Sequence, residues 1–101
     1  MVDLIHLKQQ AEADLFTSQE WLFLASRLEL SPRQLEVARL VCDGHKNLIV
    51  AQQLGVSIET IKTHLRRMYD KLDVNDRFDM LRLMVYTVRS ERMWLEKPSK
   101  M

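Results

Sequence analysis

Between Ser57 and Asp73 the apolar residues Ile58, Ile61, Leu65, Met68 and Leu72 recur at three- and four-residue steps. That is the period of a helix that buries one stripe and keeps the rest in water. The same period, with start and stop signals, predicts four more segments. In "LSPRQL" at 30–35, Ser31 is placed to N-cap, Pro32 to take the first helical position, Gln34 to close a capping box and Leu30 to staple onto Leu35. This helix stops at Gly44. The next starts near Asn47, carries Val50, Ala51 and Leu54 on one side, and ends at Gly55, whose missing side chain permits a left-handed turn. "DVND" ends the helix begun at Ser57, and Asn75 or Asp76 can cap a last helix from about Arg77 to Leu95, before Pro98. In "FTSQEW", Thr17 and Glu20 form a second capping box with Phe16 facing Trp21, which predicts a short apolar helix over 18–28. Residues 1–15 carry a weaker helical pattern through Leu4, Leu7, Ala11 and Leu15. No strand alternation, internal repeat or low-complexity tract interrupts this series, so the fold class expected is all-α.

The last helix has more apolar surface than one face can hold. Phe78, Leu81, Met84, Val85 and Val88 suit the domain's own core, while Met80, Leu83 and Thr87 lie on another side. Either a twofold partner or the helix over 18–28 can cover that second side. The front helix itself, with Trp21, Leu22, Phe23, Leu24 and Leu28, is too apolar to stay exposed and must cover the core or a partner chain.

Composition narrows the function classes. With 101 residues, 47% apolar and 29% charged, the chain fits one small globular domain and leaves no room for a second, catalytic one. The expected organisation is an amino-terminal helical extension over 1–28, the main domain over 29–95 and a tail over 96–101. No uncharged apolar stretch approaches the roughly 20 residues of a membrane-spanning helix, and a secretory signal is not evident, so a cytoplasmic location and no membrane partner are expected. Cys42, the single cysteine, sits beside Ala38 and Val41 in the pattern and reads as a small buried hydrophobe. His6, His45 and His64 have no recognisable metal spacing, and no nucleophile with a base, phosphate-binding glycine loop or paired-carboxylate setting stands out. The expectation is no metal, no cofactor and no enzyme activity.

The net charge of +1 conceals a gradient: two basic against five acidic side chains in residues 1–29, nine against seven in 30–88, and four against two in 89–101. Within 56–74, Lys62, Arg66, Arg67 and Lys71 cluster about the middle of the helix, with Glu59, Asp70 and Asp73 toward its ends. Two short helices around "LGVS" have the layout of a helix-turn-helix. Small Ala51 lets the second helix approach, Gly55 makes the turn, and Ile61 and Leu65 pin the second helix to the core. At about 100° per residue, Thr63 projects opposite the buried stripe, with Glu59, Arg66, Arg67 and Asp70 around it and Lys62 at one border. An ordinary solvated helix face carries such charges as well, so the charges alone leave nucleic-acid binding and plain solvation both open.

"LSPRQLEVARLVCDGHKN", "IVAQQLGVSIETIKTHLRRMYDKLDV" and "NDR" follow in order the pattern of the LuxR-type, or GerE-type, DNA-binding domain of bacterial transcription regulators, which the chain resembles over about residues 29–90. The most specific matches include Ser31, Pro32, Arg33, Glu36, Val37, Gly44, Asn47, Ala51, Leu54, Ser57, Thr60, Ile61, Lys62, His64, Lys71, Leu72, Val74 and Arg77. The resemblance implies a four-helix helix-turn-helix module, here with an extra amino-terminal helical segment. It also implies a recognition helix over 58–72 in the major groove of double-stranded DNA, and a homodimer built on the last helix. Position by position it assigns base contacts to Lys62, Thr63 and Arg66 and phosphate contacts to Asn47, Thr60, Arg67 and Lys71; the second apolar side of the last helix, Met80, Leu83 and Thr87, is then the expected dimer interface. The chemistry suits those roles. Lysine and arginine donate to guanine O6 and N7, a threonine methyl meets a thymine methyl, and amide, hydroxyl and ammonium groups hold phosphate oxygens. Thr60 equally fits a helix-start residue, and His64 projects to the border of the stripe as a packed histidine.

A bacterial nucleoid location follows from the same resemblance, with RNA polymerase or a separate regulatory protein as a further partner. The chain departs from the pattern at Leu48 and Ile49, where polar or charged residues are usual and which either widen the core or offer an apolar contact, and at Phe78, which suits packing on the preceding helix. The stretch before residue 29 is too short for a receiver or ligand-sensing domain. A sigma-factor region-four-like domain also opens on such a helix-turn-helix, but has no need of the helix after "KLDV". An interaction protein that keeps the fold and binds a regulator through apolar faces is the alternative from another class.

Overall fold

The computed structural model describes residues 15–96, with side chains from 15 to 91. Its elements are five helices: α1 (Ser18–Arg27), α2 (Pro32–Cys42), α3 (Asn47–Leu54), α4 (Ile58–Leu72) and α5 (Arg77–Glu96). The all-α expectation is met over these residues, and the predicted elements appear close to their predicted bounds. The pattern through Leu4, Leu7 and Ala11 lies outside the described residues. Leu15 is exposed in a bend ahead of α1.

Local sequence explains where the helices start. Both capping boxes form: Thr17 Oγ1 accepts from the Glu20 N–H at 3.0 Å while Glu20 Oε1 accepts from the Thr17 N–H at 2.8 Å, and Ser31 and Gln34 exchange the same pair of bonds at 3.1 and 3.0 Å. Ser57 Oγ caps α4 through the Thr60 N–H at 3.1 Å. For α5 the cap is Asp76, whose carboxylate accepts from the Asp79 N–H at 2.9 Å. Each satisfies amide groups that the first helical turn leaves without a partner. Phe16 and Trp21 pack edge to face with ring centroids 5.0 Å apart, stapling the entry to α1.

The helix ends are less uniform. After α1, α2, α3 and α4 the chain turns through a left-handed residue, with the following N–H bonding back across the last turn: Leu30 to Ala25, His45 to Leu40, Val56 to Ala51 and Val74 to Tyr69. At α2 and α3 the left-handed residue is Gly44 or Gly55; at α1 and α4 it is Glu29 (φ 56°) or Asp73 (φ 58°). A side chain in that region costs about 1–2 kcal/mol, which the closing bonds and the packing beyond must offset.

One core unites all five helices. Val37, Ala38 and Val41 of α2, Val50 and Ala51 of α3, and Ile61, Leu65 and Met68 of α4 meet Met80, Met84 and Val88 of α5. α1 lies on α5 and α2 and contributes Trp21 and Leu24, so the front helix completes this core. Leu22, on its outer side, is 66% exposed.

On α5 two sequence expectations are corrected. Met80, assigned to a dimer interface, has no exposed surface and sits in the chain's own core, beyond the reach of a partner. Phe78, assigned to the inner face, is 72% exposed. The helix is rotated so that α1 and α2 receive Met80, Met84 and Val88, and Leu83 and Thr87 fall at the border, half-buried. The Thr87 hydroxyl donates to the Leu83 carbonyl at 2.7 Å. Leu48 and Ile49 are likewise exposed on α3 and do not widen the core. Cys42 is half-buried with its Sγ 3.8 Å from Met84 Sδ, and burial pushes the thiol up to about 12.

Candidate nucleic-acid interface

α4 is held by Ile61, Leu65 and Met68, which turns its opposite side outward. The polar residues of that side form a ridge with a concavity on each flank. On one flank Lys62 and Arg66, a turn apart, line an open cleft of about 420 Å³ with Asn47, Tyr69, Asp70, Asn75 and Arg77. On the other, Thr63 joins Glu59, Thr60, His64 and Arg67 around a recess of about 310 Å³. The three residues expected to read bases therefore share one ridge but divide between its flanks.

Lys62 and Arg66 are exposed; the Lys62 ammonium lies 3.7 Å from the Glu59 carboxylate. So exposed a pair contributes about 0–1 kcal/mol and gives way readily to a stronger anion. Thr63 and His64 are half-buried and Arg67 is exposed. The Thr60 hydroxyl lies 2.9 Å from Ser57 Oγ, so it takes part in starting α4 while facing the recess.

The expected phosphate contacts are placed unequally. Asn47, the first residue of α3, faces the larger cleft, and its Oδ1 accepts from Arg77 Nη2 at 2.9 Å. Arg77 Nη1 also donates to the His45 carbonyl at 3.1 Å, so one guanidinium ties the start of α5 to the turn between α2 and α3. Lys71 is directed elsewhere. Its Nζ donates to the Glu29 carbonyl at 2.6 Å and to Gln34 Oε1 at 3.3 Å, bracing the left-handed corner between α1 and α2 against the end of α4.

The sequence pattern names Arg77 only as a family match at the start of the last helix and Asn75 only as a candidate cap, and it gives Tyr69 no role. No local signal reveals the Arg77–Asn47 bond, because it joins residues 30 apart. Tyr69 and Arg77 line the same cleft; burial raises the Tyr69 phenol above its ordinary range, and the Arg77 guanidinium pulls it partway back. Among the described residues no group of histidine, cysteine or acidic side chains is arranged to hold a metal ion, and no helix is long and apolar enough to cross a membrane.

Residues 28–84 match the family described as bacterial regulatory proteins, luxR family. Among curated proteins the chain is similar to the transcriptional regulatory protein LiaR of Bacillus subtilis (40% identity over 48 residues, 48% of this chain and 23% of that protein). It is also similar to the monoamine regulon transcriptional regulator of Klebsiella aerogenes (35% over 52 residues, 52% and 23%) and to the probable transcriptional regulatory protein SgaR of Hyphomicrobium methylovorum (37% over 62 residues, 61% and 29%). The similarity thus spans under a third of the length of each of these relatives. No solved structure is significantly similar.

Proposed function

The chain belongs to the luxR family of bacterial regulatory proteins, and from that premise we propose that it is a sequence-specific DNA-binding module of a transcription regulator that lays α4 in the major groove. The observation that carries this reading is the outer ridge of α4. It carries the donors Lys62, Thr63, Arg66 and Arg67 between the acidic Glu59 and Asp70, free of large apolar side chains, on a helix whose inner stripe is locked in the core. Lys62 and Arg66 read base edges from one flank and Thr63 from the other. Asn47, Thr60 and Arg67 hold phosphates beside them, and Lys71 adds its charge from the end of α4.

The module acts as a homodimer, with two ridges set one helical turn of DNA apart, roughly 34 Å. Supporting this is the outer surface of α5, where Phe78 and Tyr86, 72% and 69% exposed, stand beside Arg82, with Leu83 and Thr87 at the border. RNA polymerase or a separate regulatory protein is the further partner that fits this role. Selection of duplexes from a random pool at moderate salt, followed by sequencing, is the test. A retained motif that a folded Lys62→Ala, Arg66→Ala double variant binds with undiminished affinity would remove α4 from the reading role.

A further inference from the structure

The cleft between α4, the start of α3 and the start of α5 has a composition that reading base edges does not require. Of the charged groups on its lining three are cationic, Lys62, Arg66 and Arg77, and one is acidic, Asp70. Asn47 and Asn75 add amides. Arg77 spends two N–H groups on the His45 carbonyl and Asn47 Oδ1, both neutral oxygens, so these bonds leave its positive charge in place. The second bond also fixes the Asn47 amide: with Oδ1 tied to the guanidinium, Nδ2 becomes the group available to an acceptor in the cleft.

We propose that this cleft is a binding site for a single phosphate oxyanion of the DNA backbone, held by Asn47 Nδ2, Asn75 and the charge of Arg77. Arg77 is also the positioning residue that sets the Asn47 amide. The proposal rests on the reading of α4 as the groove-entering helix, because Lys62 and Arg66 form the cleft's other wall and bring the adjacent backbone to it. It adds two residues, Asn75 and Arg77, and gives the flank a fixed register. A phosphate clamped here sets how far α4 slides along the groove, whereas long flexible side chains alone leave that distance loose.

The experiment uses a duplex retained from the random pool, remade with one neutral methylphosphonate at a time. The wild-type chain is expected to lose about tenfold in affinity at one phosphate of each half-site, the scale of one charge-assisted hydrogen bond. Asn47→Ala, Asn75→Ala and Arg77→Lys are each expected to bind the unmodified duplex more weakly and to lose sensitivity at that same phosphate. Arg77→Lys should respond as Asn47→Ala does, since lysine keeps the charge and lacks the fork that sets the amide. Arg27→Gln, which removes one charge from α1, should retain the full wild-type profile. Melting curves on every variant separate lost folding from lost contact, and the exposed Asn75 gives a variant with little to lose in stability.

If folded variants keep undiminished sensitivity at every phosphate, Arg77 and Asn47 only brace the fold and the proposal is overturned. Inorganic phosphate, titrated against the free chain while the Asn47 and Arg77 amide resonances are followed, is the second arm. Saturation below about 1 mM, tighter than a single backbone phosphate contact provides, overturns the backbone assignment in favour of a free anion. If the pool yields no duplex at all, the DNA reading itself fails and takes the clamp with it. A retained duplex without a coupled phosphate fails the clamp alone.

Discussion

α4 and α5 bury similar stripes in the same core and turn different chemistry to solvent. On α4 the outer residues Glu59, Lys62, Arg66, Arg67 and Asp70 are all charged; on α5 the outer stripe contains Phe78 and Tyr86, each about 70% exposed, beside Arg82 and Arg89. The inner stripe is constrained by packing and its composition speaks of stability. The outer face is free of that constraint, so its composition reports what the surface meets. A charged ridge suits a polyanion, which is approached and released with salt. Exposed aromatic rings suit a protein surface that removes them from water.

The largest expected effects come from the side the two helices share. Ile61→Ala on α4 and Met84→Ala on α5 should each destabilise the fold by about 2–5 kcal/mol, measured by chemical denaturation. A much smaller loss at Met84 would show that α5 packs less tightly than its burial implies.

On the outer faces the helices should part company. Lys62→Ala or Arg66→Ala should weaken binding to a selected duplex by about 1–3 kcal/mol each and leave the melting temperature unchanged. A paired Phe78→Ser, Tyr86→Ser change should leave single half-site binding intact while abolishing association by analytical ultracentrifugation at micromolar concentration. Should both pairs of changes affect association alike, the division of labour between α4 and α5 is wrong.

A smaller effect is expected where α4 ends. Asp73→Gly should stabilise by about 0.5–1 kcal/mol, the relief of a left-handed side chain less the entropy glycine adds to the unfolded chain. Glu29→Gly should gain a similar amount, since Lys71 contacts the backbone carbonyl and not the glutamate side chain.

The Cys42 contact with α5 should leave stability near neutral pH unchanged and show only in alkali and in thiol reactivity. Its thiol is raised from an ordinary 9.0 to about 12, so the folded state holds the proton longer than the unfolded chain does. The stability from that group is complete below pH 9 and is lost as pH rises from 9 toward 12. Alkylation near neutral pH should run at least about tenfold slower than on a free thiol, because the raised pKa lowers the thiolate fraction by more than the greater nucleophilicity of the more basic thiolate restores. Rapid alkylation of the native chain would contradict the packing of α2 on α5.

The sequence by itself determined what depends on neighbours three or four residues away. The helix starts at Thr17, Ser31 and Ser57 rest on side chains that reach their own first turn, and the stripe of α4 needs only its own period, so both were legible without a fold. The family resemblance was carried by the same local residues. Tertiary structure alone decided the rest. Met80 and Phe78 are two residues apart on a helix with apolar side chains nearly all round, and only the arrival of α1 and α2 selects Met80 for the core. Lys71 has the charge and position of a phosphate contact, yet a carbonyl 42 residues away, turned outward at left-handed Glu29, lies within its reach. Lys62, Thr63 and Arg66 are close in sequence, and their separation onto two flanks depends on Asn47 and Arg77, which arrive from other helices to wall one side. Local periodicity says which residues a helix can bury. Which of them it does bury, and what its free face is set beside, is fixed by partners that no short window of sequence contains.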